Sequence, residues 1–579
     1  MTPAPITRRA RLKARVLAVA RVAGRRPELL EVTLVFAAVV AVWGPFLASA
    51  RVNNGLSDWA YRTNYVAYGL NAIFSDHQLP YWATNPDFEQ YRMKGVHDFF
   101  ANPETDVLSL VTPLAKIWDV LTAVKIAVVA CLALGVWGCR RLLVVLGGAA
   151  GLLPLLIASL LALCNGAFVG HILAGHTQFM ATATFPLTLA LMLEAFDPAL
   201  RAATRCLRAC LSGALLAMAY YSGAAHPLFY FILGFGVLVP LFTVLVAPRR
   251  FLVVVPSALL VGVSFVALAA WKLLPGVVDF SGYQCNYHGV YASFHDFATE
   301  LVIPWSPVGH GYHHETNFYV GWIGVGLLTF AILGLRDRRS IPLLLACFAM
   351  ASLMFLKGDS RVFSLPLIRT QGAFQRLRFV LIQGVAVVAA TQIQSIVTWI
   401  RRRPRRSVRV GVVAVLAALS VCFAFDLWRT AVRHQVNAGC LDRPPQAKGP
   451  FDSAPELVPV DRRSTRVEVG RVKANQFEYE YWTSRGGPAS LRAPSLRASP
   501  RAPHLKLAGD GEIVMRDGIL TVNVTGAHGR FVLSFADPLT SWSLTVTLLG
   551  LLGLAALGLV ARRAGRVRAR PPEAVQGSS

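Results

Sequence analysis

An aspartate that follows the first apolar run is the first side chain of the sequence suited to proton transfer. Asp58 lies in the segment GLSDWAYRTNY, next to Trp59 and three residues before Tyr61. A carboxylate in such a place can serve as the general base that takes a proton from an acceptor hydroxyl group. The simpler alternative is structural, with Ser57 or Asp58 capping the helix that begins just after it.

A cluster of basic residues in the second half of the chain has the chemistry of a phosphate site. Guanidinium groups bind the oxygens of a phosphate or pyrophosphate in pairs. The alternative is that the same long side chains reach toward lipid headgroups without binding a substrate. Both interpretations stay open on the residues alone. The cluster consists of Lys357, Arg361, Arg369, Arg376 and Arg378.

Two histidines and one glutamate are further candidates for substrate contact. His171 and His176 lie in VGHILAGHTQF, and each can either donate to a phosphate or sugar or serve as a structural hydrogen-bonding residue. Glu315 lies in HHETNFYVGW, at the entry to an apolar run. The neighbouring histidines have the chemistry of metal ligands, but their spacing matches no standard site. They are His310, His313 and His314.

The elements that carry these residues are predicted to be membrane helices. Hydrophobic residues make up 55% of the 579 positions and charged residues only 15%, and the mean hydropathy is +0.50. Runs such as Phe251–Ala270 and Ser541–Ala561 are long enough to cross about 30 Å of hydrocarbon. The first run begins near Glu31 without a small-residue cleavage pattern, so we expect a retained span rather than a removed signal peptide.

Basic residues determine the predicted topology. The net charge of +26 gathers in short clusters between apolar runs, which the positive-inside rule explains and which argues against nucleic acid as a partner. Every basic turn except 357–376 falls on the same side as both termini, and we assign that side to the cytoplasm. The spans that give this alternation are 31–50, 121–139, 145–164, 177–196, 209–223, 227–247, 251–272, 318–335, 340–356, 377–399, 408–426 and 541–561.

Larger segments are predicted on the outer side. The loop at 51–120 has an interfacial helix near Trp59–Phe74 and a re-entrant stretch at Val107–Trp118. Further outer loops lie at 273–317 and 357–376. The predicted fold is therefore a polytopic α-helical membrane protein of about 12 transmembrane helices with a small β-rich extracytoplasmic module. Its parts are a basic cytoplasmic N-terminus at 1–30, a transmembrane domain at 31–426, the module at 427–540, a last transmembrane helix at 541–561 and a cytoplasmic tail at 562–579.

The module is assigned from its alternation. Apolar and polar residues alternate in EIVMRDGILTVNVTG and GRFVLSF, which predicts strands with a hairpin turn at Asp517–Gly518. Residues 484–504 are rich in Arg, Pro, Ser and Ala and are predicted to be a poorly ordered loop. Of the nine cysteines, only Cys285 and Cys440 lie in predicted outer segments. They either form a disulfide in an oxidising compartment or remain two separate thiols.

No soluble-enzyme motif is present, since P-loop, HExxH, GxSxG and post-strand GxGxxG patterns are lacking. Instead, the order of several short segments resembles the GT-C superfamily of integral-membrane glycosyltransferases, and within it the bacterial YfhO-type branch. The resemblance covers nearly the whole chain, with Asp58 at its start and a β-rich module and last span at its end. The segments that carry it are QLPYWATNP, GVHDFFANPETDVLSLVTPL, AGHTQFMATATFPLTLAL, ETNFYVGWIGVGLLTFAILGLRDR and PLIRTQGAFQRLRFVLIQGVAV.

The resemblance implies a sugar donor carried on polyprenyl phosphate, inverting transfer on the outer face, and a catalytic carboxylate in the first outer loop, which Asp58 matches. The last arginine stretch reads FQRLRF, without the Pro that the family often has there, and no clear paired acidic motif follows Asp58. A divalent metal is therefore left unassigned. The other matched positions, which imply substrate binding, are Gly175–His176 with Pro186, Glu315 with Tyr319 and Gly321, and Arg376 with Arg378.

The resemblance further implies a lipid-linked sugar donor, membrane lipids and an outer acceptor (a glycan, a lipid or a cell-envelope polymer) as partners, in a bacterial cytoplasmic membrane. Two other classes of function remain as alternatives. A transporter or flippase of lipid-linked saccharides would show repeated halves and charges near mid-bilayer, and no repeat is evident. A non-catalytic envelope assembly protein would use the module at 427–540 and would need neither Asp58 nor the exported arginines.

Overall fold

A computed structural model gives the architecture of the chain. Asp58, Cys285, Glu315 and the predicted Asp517–Gly518 turn lie outside the residues that it describes. The described residues are 27–49, 52–53, 59–79, 100, 102, 104–279, 290–304, 318–356, 361–364, 374–402, 406–436, 440–441, 457–461, 463–473, 476–484, 488–497, 505–516, 519–535 and 538–567.

Most of the described chain is helical. Short 3₁₀ or π segments extend several helices, as at Thr177–Thr184 before α8 and Phe374–Leu377 before α16. The α-helices are α1 (Pro27–Val42), α2 (Gly44–Ala48), α3 (Trp59–Leu70), α4 (Val111–Ala115), α5 (Val120–Gly147), α6 (Leu152–Leu163), α7 (Gly166–Leu173), α8 (Phe185–Ala195), α9 (Ala202–Tyr221), α10 (Ala225–Phe231), α11 (Val239–Val246), α12 (Phe251–Asp279), α13 (Phe294–Val302), α14 (Gly321–Thr329), α15 (Ile341–Leu353), α16 (Arg378–Arg401), α17 (Arg406–Val436) and α18 (Pro538–Val567).

The helical fold predicted from the sequence is confirmed, because every predicted span contains a helical segment. By length and apolar composition, 7 of the described helices can cross a membrane, or 8 if α6 and α7, which meet at a 46° bend, form one span. The segments Gly321–Arg336 and Ile341–Leu353 are apolar but shorter. The chain is thus a multi-pass membrane protein.

Caps and small residues explain where these helices begin and how closely they pack. Asp119 caps α5 by accepting from Thr122 N at 3.0 Å, and an N-cap acceptor satisfies one of the free amides of the first turn. Inside the bundle, a Cβ on Gly138 of α5 would lie 2.2 Å from Leu187 N of α8. Only a residue without a side chain allows two helices to approach so closely in a membrane bundle.

One predicted boundary is wrong. Arg140 and Arg141 were expected in a turn, but α5 continues to Gly147 and carries both arginines within it. Arginine is a good helix former, and the charge of Arg141 is met by Glu194 of α8, whose carboxylate lies 3.0 Å from Arg141 Nε. Arg208 of α9 also pairs with Glu194, at 3.0 Å. This ion group lies at the end of the bundle assigned to the cytoplasm.

The loop predicted to be the first outer loop contains a helix where the interfacial helix was expected. It forms α3 and a π-helical turn at Asn71–Ser75, and Trp59 at its start donates its indole N–H to the Leu173 carbonyl at 2.9 Å. Within the predicted re-entrant stretch the structure has only the short helix α4. Val111 of this stretch is buried in the main core, whereas Val107 is buried against Tyr65 and Tyr68 of α3.

The β-rich module is a pair of four-stranded sheets. One sheet has the strand order β4-β5-β10-β7 and the other β3-β6-β9-β8, with Tyr479, Tyr481 and Phe531 buried between them. Every described ladder is antiparallel. The strands are β3 (Val458–Pro459), β4 (Thr465–Lys473), β5 (Gln476–Thr483), β6 (Ala489–Arg497), β7 (Leu505–Gly509), β8 (Glu512–Arg516), β9 (Ile519–Val524) and β10 (His528–Phe535).

The prediction of a poorly ordered loop over 484–504 is wrong for residues 489–497. They form β6, which pairs with β9 from Ala489 opposite Val524 onward. The composition of this segment is polar, but Leu491 points into the sandwich and is fully buried. The local sequence does not predict a strand here, because β6 is stabilised by its hydrogen bonds to neighbouring strands.

A short ladder joins the first outer loop to the start of the module. Val52–Asn53 (β1) pairs antiparallel with Cys440–Leu441 (β2), so that Val52 faces Leu441 and Asn53 faces Cys440. Residues 52–53 precede Asp58 closely in the chain, and residues 440–441 follow α17. The loop that carries Asp58 is therefore attached to the chain that leads into the module.

Candidate functional site

Three of the predicted site residues lie together at one end of the bundle. His176 follows Gly175, whose φ of +94° turns the chain between α7 and the 3₁₀ segment. The His176 ring lies 5.9 Å from Phe179, and the guanidinium of Arg376 lies 5.5 Å from the same Phe179 ring. Phe179 in turn lies 4.8 Å from Phe379, next to Arg378. The structure thus brings His176, Arg376 and Arg378 around one pair of phenylalanines.

The two arginines differ in their surroundings. Arg378 is fully buried and donates from Nη1 to the Gln375 carbonyl at 3.1 Å. Its side chain also hydrogen-bonds to Tyr291, whose pKa burial raises to about 12 while Arg378 opposes the rise. Arg376 is only partly buried. Of the two arginines, Arg376 is therefore the one that a ligand could contact, and Arg378 is enclosed by the protein.

His171 is part of the packing around this group. Its ring is fully buried, lies 5.2 Å from the His176 ring, and its Nδ1 is 3.0 Å from the Ala167 carbonyl. Since a ring nitrogen that bonds a carbonyl must carry the proton, His171 is held in one tautomer. This contact agrees with the structural role that was its alternative interpretation.

Tyr319 is engaged with another helix. Its hydroxyl donates to Asp426 Oδ2 of α17 at 2.6 Å, and its carbonyl accepts from Gly166 N at 2.8 Å. Gly321 has a φ of +68°, and a Cβ there would lie 2.6 Å from Asp426 Oδ2. The glycine of the aromatic-Gly pattern is thus required by backbone geometry and close packing. The predicted substrate contact of Tyr319 remains a prediction.

The sequence interpretation missed an acidic segment beside this group. Glu104 Oε1 accepts a hydrogen bond from His226 Nε2 at 2.8 Å. Arg62 of α3 donates from Nη1 to the Glu104 carbonyl at 2.8 Å, and Lys272 of α12 donates to the Thr105 carbonyl. Residues 104–106, which we call the acidic segment, are therefore held by basic side chains from three different helices.

Glycine makes this close contact possible. Gly223, in the turn between α9 and α10, has a φ of +77°. A Cβ at this position would lie 2.4 Å from the Glu104 carbonyl oxygen. The backbone of the acidic segment therefore lies against the turn that leads to His226, and a side chain at position 223 would separate the two.

The two acids of this segment have opposite electrostatics. Burial by itself raises the pKa of Glu104, but the hydrogen bond and charge of His226, with the charges of Arg62 and Arg376, outweigh it and lower the pKa to about 2. Burial raises the pKa of Asp106, and Arg62 and Lys272 only partly oppose it. Asp106 is 1% exposed, and no described residue donates a hydrogen bond to its carboxylate oxygens.

Signals for these residues existed in the sequence. The segment NPETD contains two acids, Glu104 and Asp106, separated by one residue. Lys272 is the only cation within α12, and a lone charge in an apolar helix is costly unless it has a partner. His226 lies in a turn without Lys or Arg. None of these signals indicates which helix supplies the partner.

Metal binding receives no support from the described part of the chain. No group of three or more His, Cys, Asp or Glu side chains is arranged there to hold a metal ion. Asp58 and Glu315, the two carboxylates that the resemblance singles out, lie outside that part. A divalent metal therefore remains unassigned, as in the sequence analysis.

Comparison with known proteins gives only distant matches. No protein-family model and no curated protein matches the chain. Among solved structures, ArnT from Cupriavidus metallidurans bound to undecaprenyl phosphate is 11% identical, covers 71% of this chain and 75% of its own, and has a TM-score of 0.39. The apo state of that ArnT gives 14% identity, 70% and 77% coverage and 0.41.

The apo oligosaccharyltransferase from Archaeoglobus fulgidus is also similar, with 12% identity and a TM-score of 0.43. The match covers 70% of this chain and 56% of the oligosaccharyltransferase. At such identities and TM-scores, the similarity assigns neither a family nor an activity to this chain.

Proposed function

We propose that this protein is an inverting membrane glycosyltransferase that moves a sugar from a polyprenyl-phosphate donor to an acceptor on the outer face. The acceptor is a glycan, a lipid or a cell-envelope polymer. The observation that carries the proposal is the convergence of His176, Arg376 and Arg378 at one end of an apolar helical bundle. Guanidinium groups bind phosphate oxygens through paired, charge-assisted hydrogen bonds, and a lipid phosphate is an anion held at the membrane surface.

The proposed reaction exchanges one bond to the anomeric carbon for another. An acceptor hydroxyl oxygen attacks that carbon as the bond to the phosphate oxygen breaks, and the phosphate leaves with the bonding electrons. Asp58 takes the hydroxyl proton. Arg376, backed by Arg378 and with His176 beside it, stabilises the negative charge that grows on the departing phosphate. Glu315 and Tyr319 are the remaining proposed substrate contacts.

The neighbours of Asp58 in the chain support its proposed role. Trp59, the next residue, is fully buried and bonds to the Leu173 carbonyl. Leu173 precedes His176 by only three residues. The described residues before and after Asp58 are thus held in place. Trp59 hydrogen-bonds to Leu173, and Val52–Asn53 pairs with β2.

An apolar groove offers room for the polyprenyl chain. It has a volume of about 730 Å³ and is lined by α11, α12 and Val546 of α18 together with Gly236. Its lining on α12 extends from Phe251 to Ala267, about 24 Å along the helix at 1.5 Å per residue. Lys272, which holds the acidic segment, follows Ala267 by little more than one turn. A chain in this groove would have its phosphate end toward the cations.

The test is a transfer assay with purified protein in lipid nanodiscs. Polyprenyl-phosphate sugars with a radiolabelled sugar are supplied together with membrane or envelope acceptors, and the label is followed into the acceptor with determination of anomeric configuration. We expect transfer with inversion. In proteoliposomes, movement of the intact donor across the bilayer without transfer would instead identify a flippase. If no donor in a full panel is transferred or moved across the bilayer, the non-catalytic assembly role becomes the best explanation.

A further inference from the structure

The carboxylate of Glu104 lies where several cations meet. His226 Nε2 is 2.8 Å from Oε1, and Arg62 Nη1 is 2.8 Å from the backbone carbonyl of Glu104. The turn Phe374–Leu377, which carries Arg376, packs against α10, where the Tyr230 and Phe374 rings lie 6.2 Å apart. The charges of His226, Arg62 and Arg376 lower the pKa of the Glu104 carboxyl. The paired side chains are 26% and 23% exposed for Glu104 and His226. The partly exposed Glu104 carboxylate thus lies among basic side chains that could also bind a phosphate.

The backbone and the side chain of Glu104 are held in different ways. Arg62, which is 3% exposed, fixes the Glu104 carbonyl, Lys272 fixes the next carbonyl, and Gly223 packs against both. The side chain has three rotatable bonds and remains partly exposed. Rotation of this side chain would move the carboxylate without moving the backbone of the acidic segment.

We propose that Glu104 is the resident anion of a phosphate-ester site formed by His226 and Arg376, and that the phosphate of an incoming ligand takes the place of its carboxylate. Arg62, which donates to the Glu104 backbone carbonyl, adds positive charge to this site. The identification of this ligand as a polyprenyl phosphate rests on the proposed function, whereas the exchange of anions does not. This places the phosphate on the accessible cations, in front of the buried Arg378.

The chemistry of the exchange is simple. Carboxylates and phosphates accept charge-assisted hydrogen bonds from the same donors. Two anions within a few ångströms repel each other, so both cannot hold the same cations. In the ligand-free protein, the Glu104 carboxylate balances the charge of these basic side chains. A phosphate ligand must therefore compete with Glu104 for them. Removing the charge of Glu104 should make phosphate binding tighter, which is the reverse of what loss of an ordinary ligand contact does.

The experiment measures binding of short-chain polyprenyl phosphate, and separately of inorganic phosphate, to the full-length protein in nanodiscs. Glu104→Gln keeps the size and the hydrogen bond but removes the charge, and we expect affinity to rise about tenfold or more, the change that about 1.4 kcal/mol produces. His226→Gln and Arg376→Ala should lower affinity by a similar factor. The matched control is Glu194→Gln, an acid paired with Arg141 and Arg208 at the opposite end, which should leave affinity unchanged.

Unchanged or weaker binding in Glu104→Gln would overturn the proposal. If that variant does not fold, Glu104→Asp, whose carboxylate reaches less far, should still bind more tightly, and failure to do so overturns it equally. Parallel changes for inorganic phosphate would show that the site reads phosphate itself, and changes for the lipid alone that it reads a carrier headgroup. Tighter phosphate binding without any sugar transfer would contradict the proposed function but not this site.

Discussion

Arg376 and Arg378 show how two neighbouring residues of one motif acquire different tasks. Position 376 precedes α16 in a 3₁₀ turn, and position 378 is the first residue of the helix. The turn leaves Arg376 partly exposed over Phe179 and directs Arg378 into the bundle, where it is fully buried over Phe379. One guanidinium is therefore placed for a ligand, and the other for the protein interior.

These surroundings predict different outcomes for alanine. Arg378→Ala removes two charge-assisted hydrogen bonds in a buried site, to the Gln375 carbonyl and to Tyr291, each worth about 1.5–3 kcal/mol, and should lower the melting temperature. Arg378→Lys should recover only part of this loss because the planar fork is gone. Arg376→Ala should change the melting temperature little and weaken use of the donor.

Thermal unfolding and the donor KM, measured on the same preparations, separate the two effects. Equal melting temperatures for Arg378→Ala and Arg376→Ala would contradict this assignment. So would a normal donor KM in Arg376→Ala.

Asp58→Asn separates the catalytic role of Asp58 from its capping role. Asn caps a helix about as well as Asp, so a purely structural residue predicts near-normal turnover. A general base predicts a loss of about 10²–10⁴-fold in kcat with normal expression and melting temperature. The measurement is sugar transfer by purified protein. Full activity would move the base elsewhere, with Glu315 as the next candidate.

At the scale of elements, the groove between α11, α12 and α18 gives a test of lipid binding. A Cβ on Gly262 of α12 meets no atom within 4 Å, and Gly262 lines the groove. Gly262→Phe should therefore fill the groove without distorting the bundle. We expect the KM for a long-chain donor to rise about tenfold, the equivalent of about 1.4 kcal/mol, with less effect on a short-chain donor.

Gly326→Phe is the matched control for this variant. Gly326 lies in α14, where a Cβ also meets no atom within 4 Å, and it is not among the lining residues of the groove. Its substitution should leave both donors unaffected. Equal KM values for Gly262→Phe and Gly326→Phe on the long-chain donor would exclude this groove as the place of the polyprenyl chain.

Another element, α17, links the bundle to the module. Asp426 is an acid in a largely apolar helix, a costly arrangement that its hydrogen bond with Tyr319 compensates. Gly321 allows the approach, since any side chain there would meet that carboxylate. After α17 the chain forms β2 and pairs with β1 in the first outer loop. The same helix thus contacts the Tyr319 region and leads to β2, which pairs with β1, the strand that precedes Asp58 in the chain.

At the scale of the whole molecule, the topology predicts which parts face outward. The module should lie outside and both termini in the cytoplasm, because all short basic turns except 357–376 fall on one side. Ser453→Cys should react with a membrane-impermeant maleimide in intact cells, and Ser579→Cys only after permeabilisation. The parent protein supplies the background labelling. Equal labelling of both positions from outside would contradict the topology.

The two exported cysteines give a second whole-molecule prediction. Cys440 lies in β2, beside the first outer loop, and Cys285 belongs to the predicted loop at 273–317. A disulfide between them would close a long loop and stabilise the fold by at most about 5 kcal/mol. Thiol counting on denatured, non-reduced protein should find both blocked. Two reactive exported thiols would end this prediction.

Much of this architecture follows from local sequence. Helical spans, a helix at Trp59–Leu70 and the strands β8, β9 and β10 were predicted, because partition into a membrane and strand alternation depend on each segment's own residues. The strand at Ala489–Arg497 was missed since its partners lie elsewhere in the chain. The extension of α5 through Arg141 was missed for the same reason, because Glu194 neutralises the charge.

The site was decided by tertiary structure. Sequence placed His176, Arg376 and Arg378 near the outer surface, but their meeting around Phe179 and the burial of Arg378 depend on helix packing. Glu104 and His226 are 122 residues apart, and Lys272 and Thr105 are 167 apart. Hydropathy determines that each of these residues reaches the same end of the bundle. Which of them touch is set by how the helices pack side by side, and no local pattern records that arrangement.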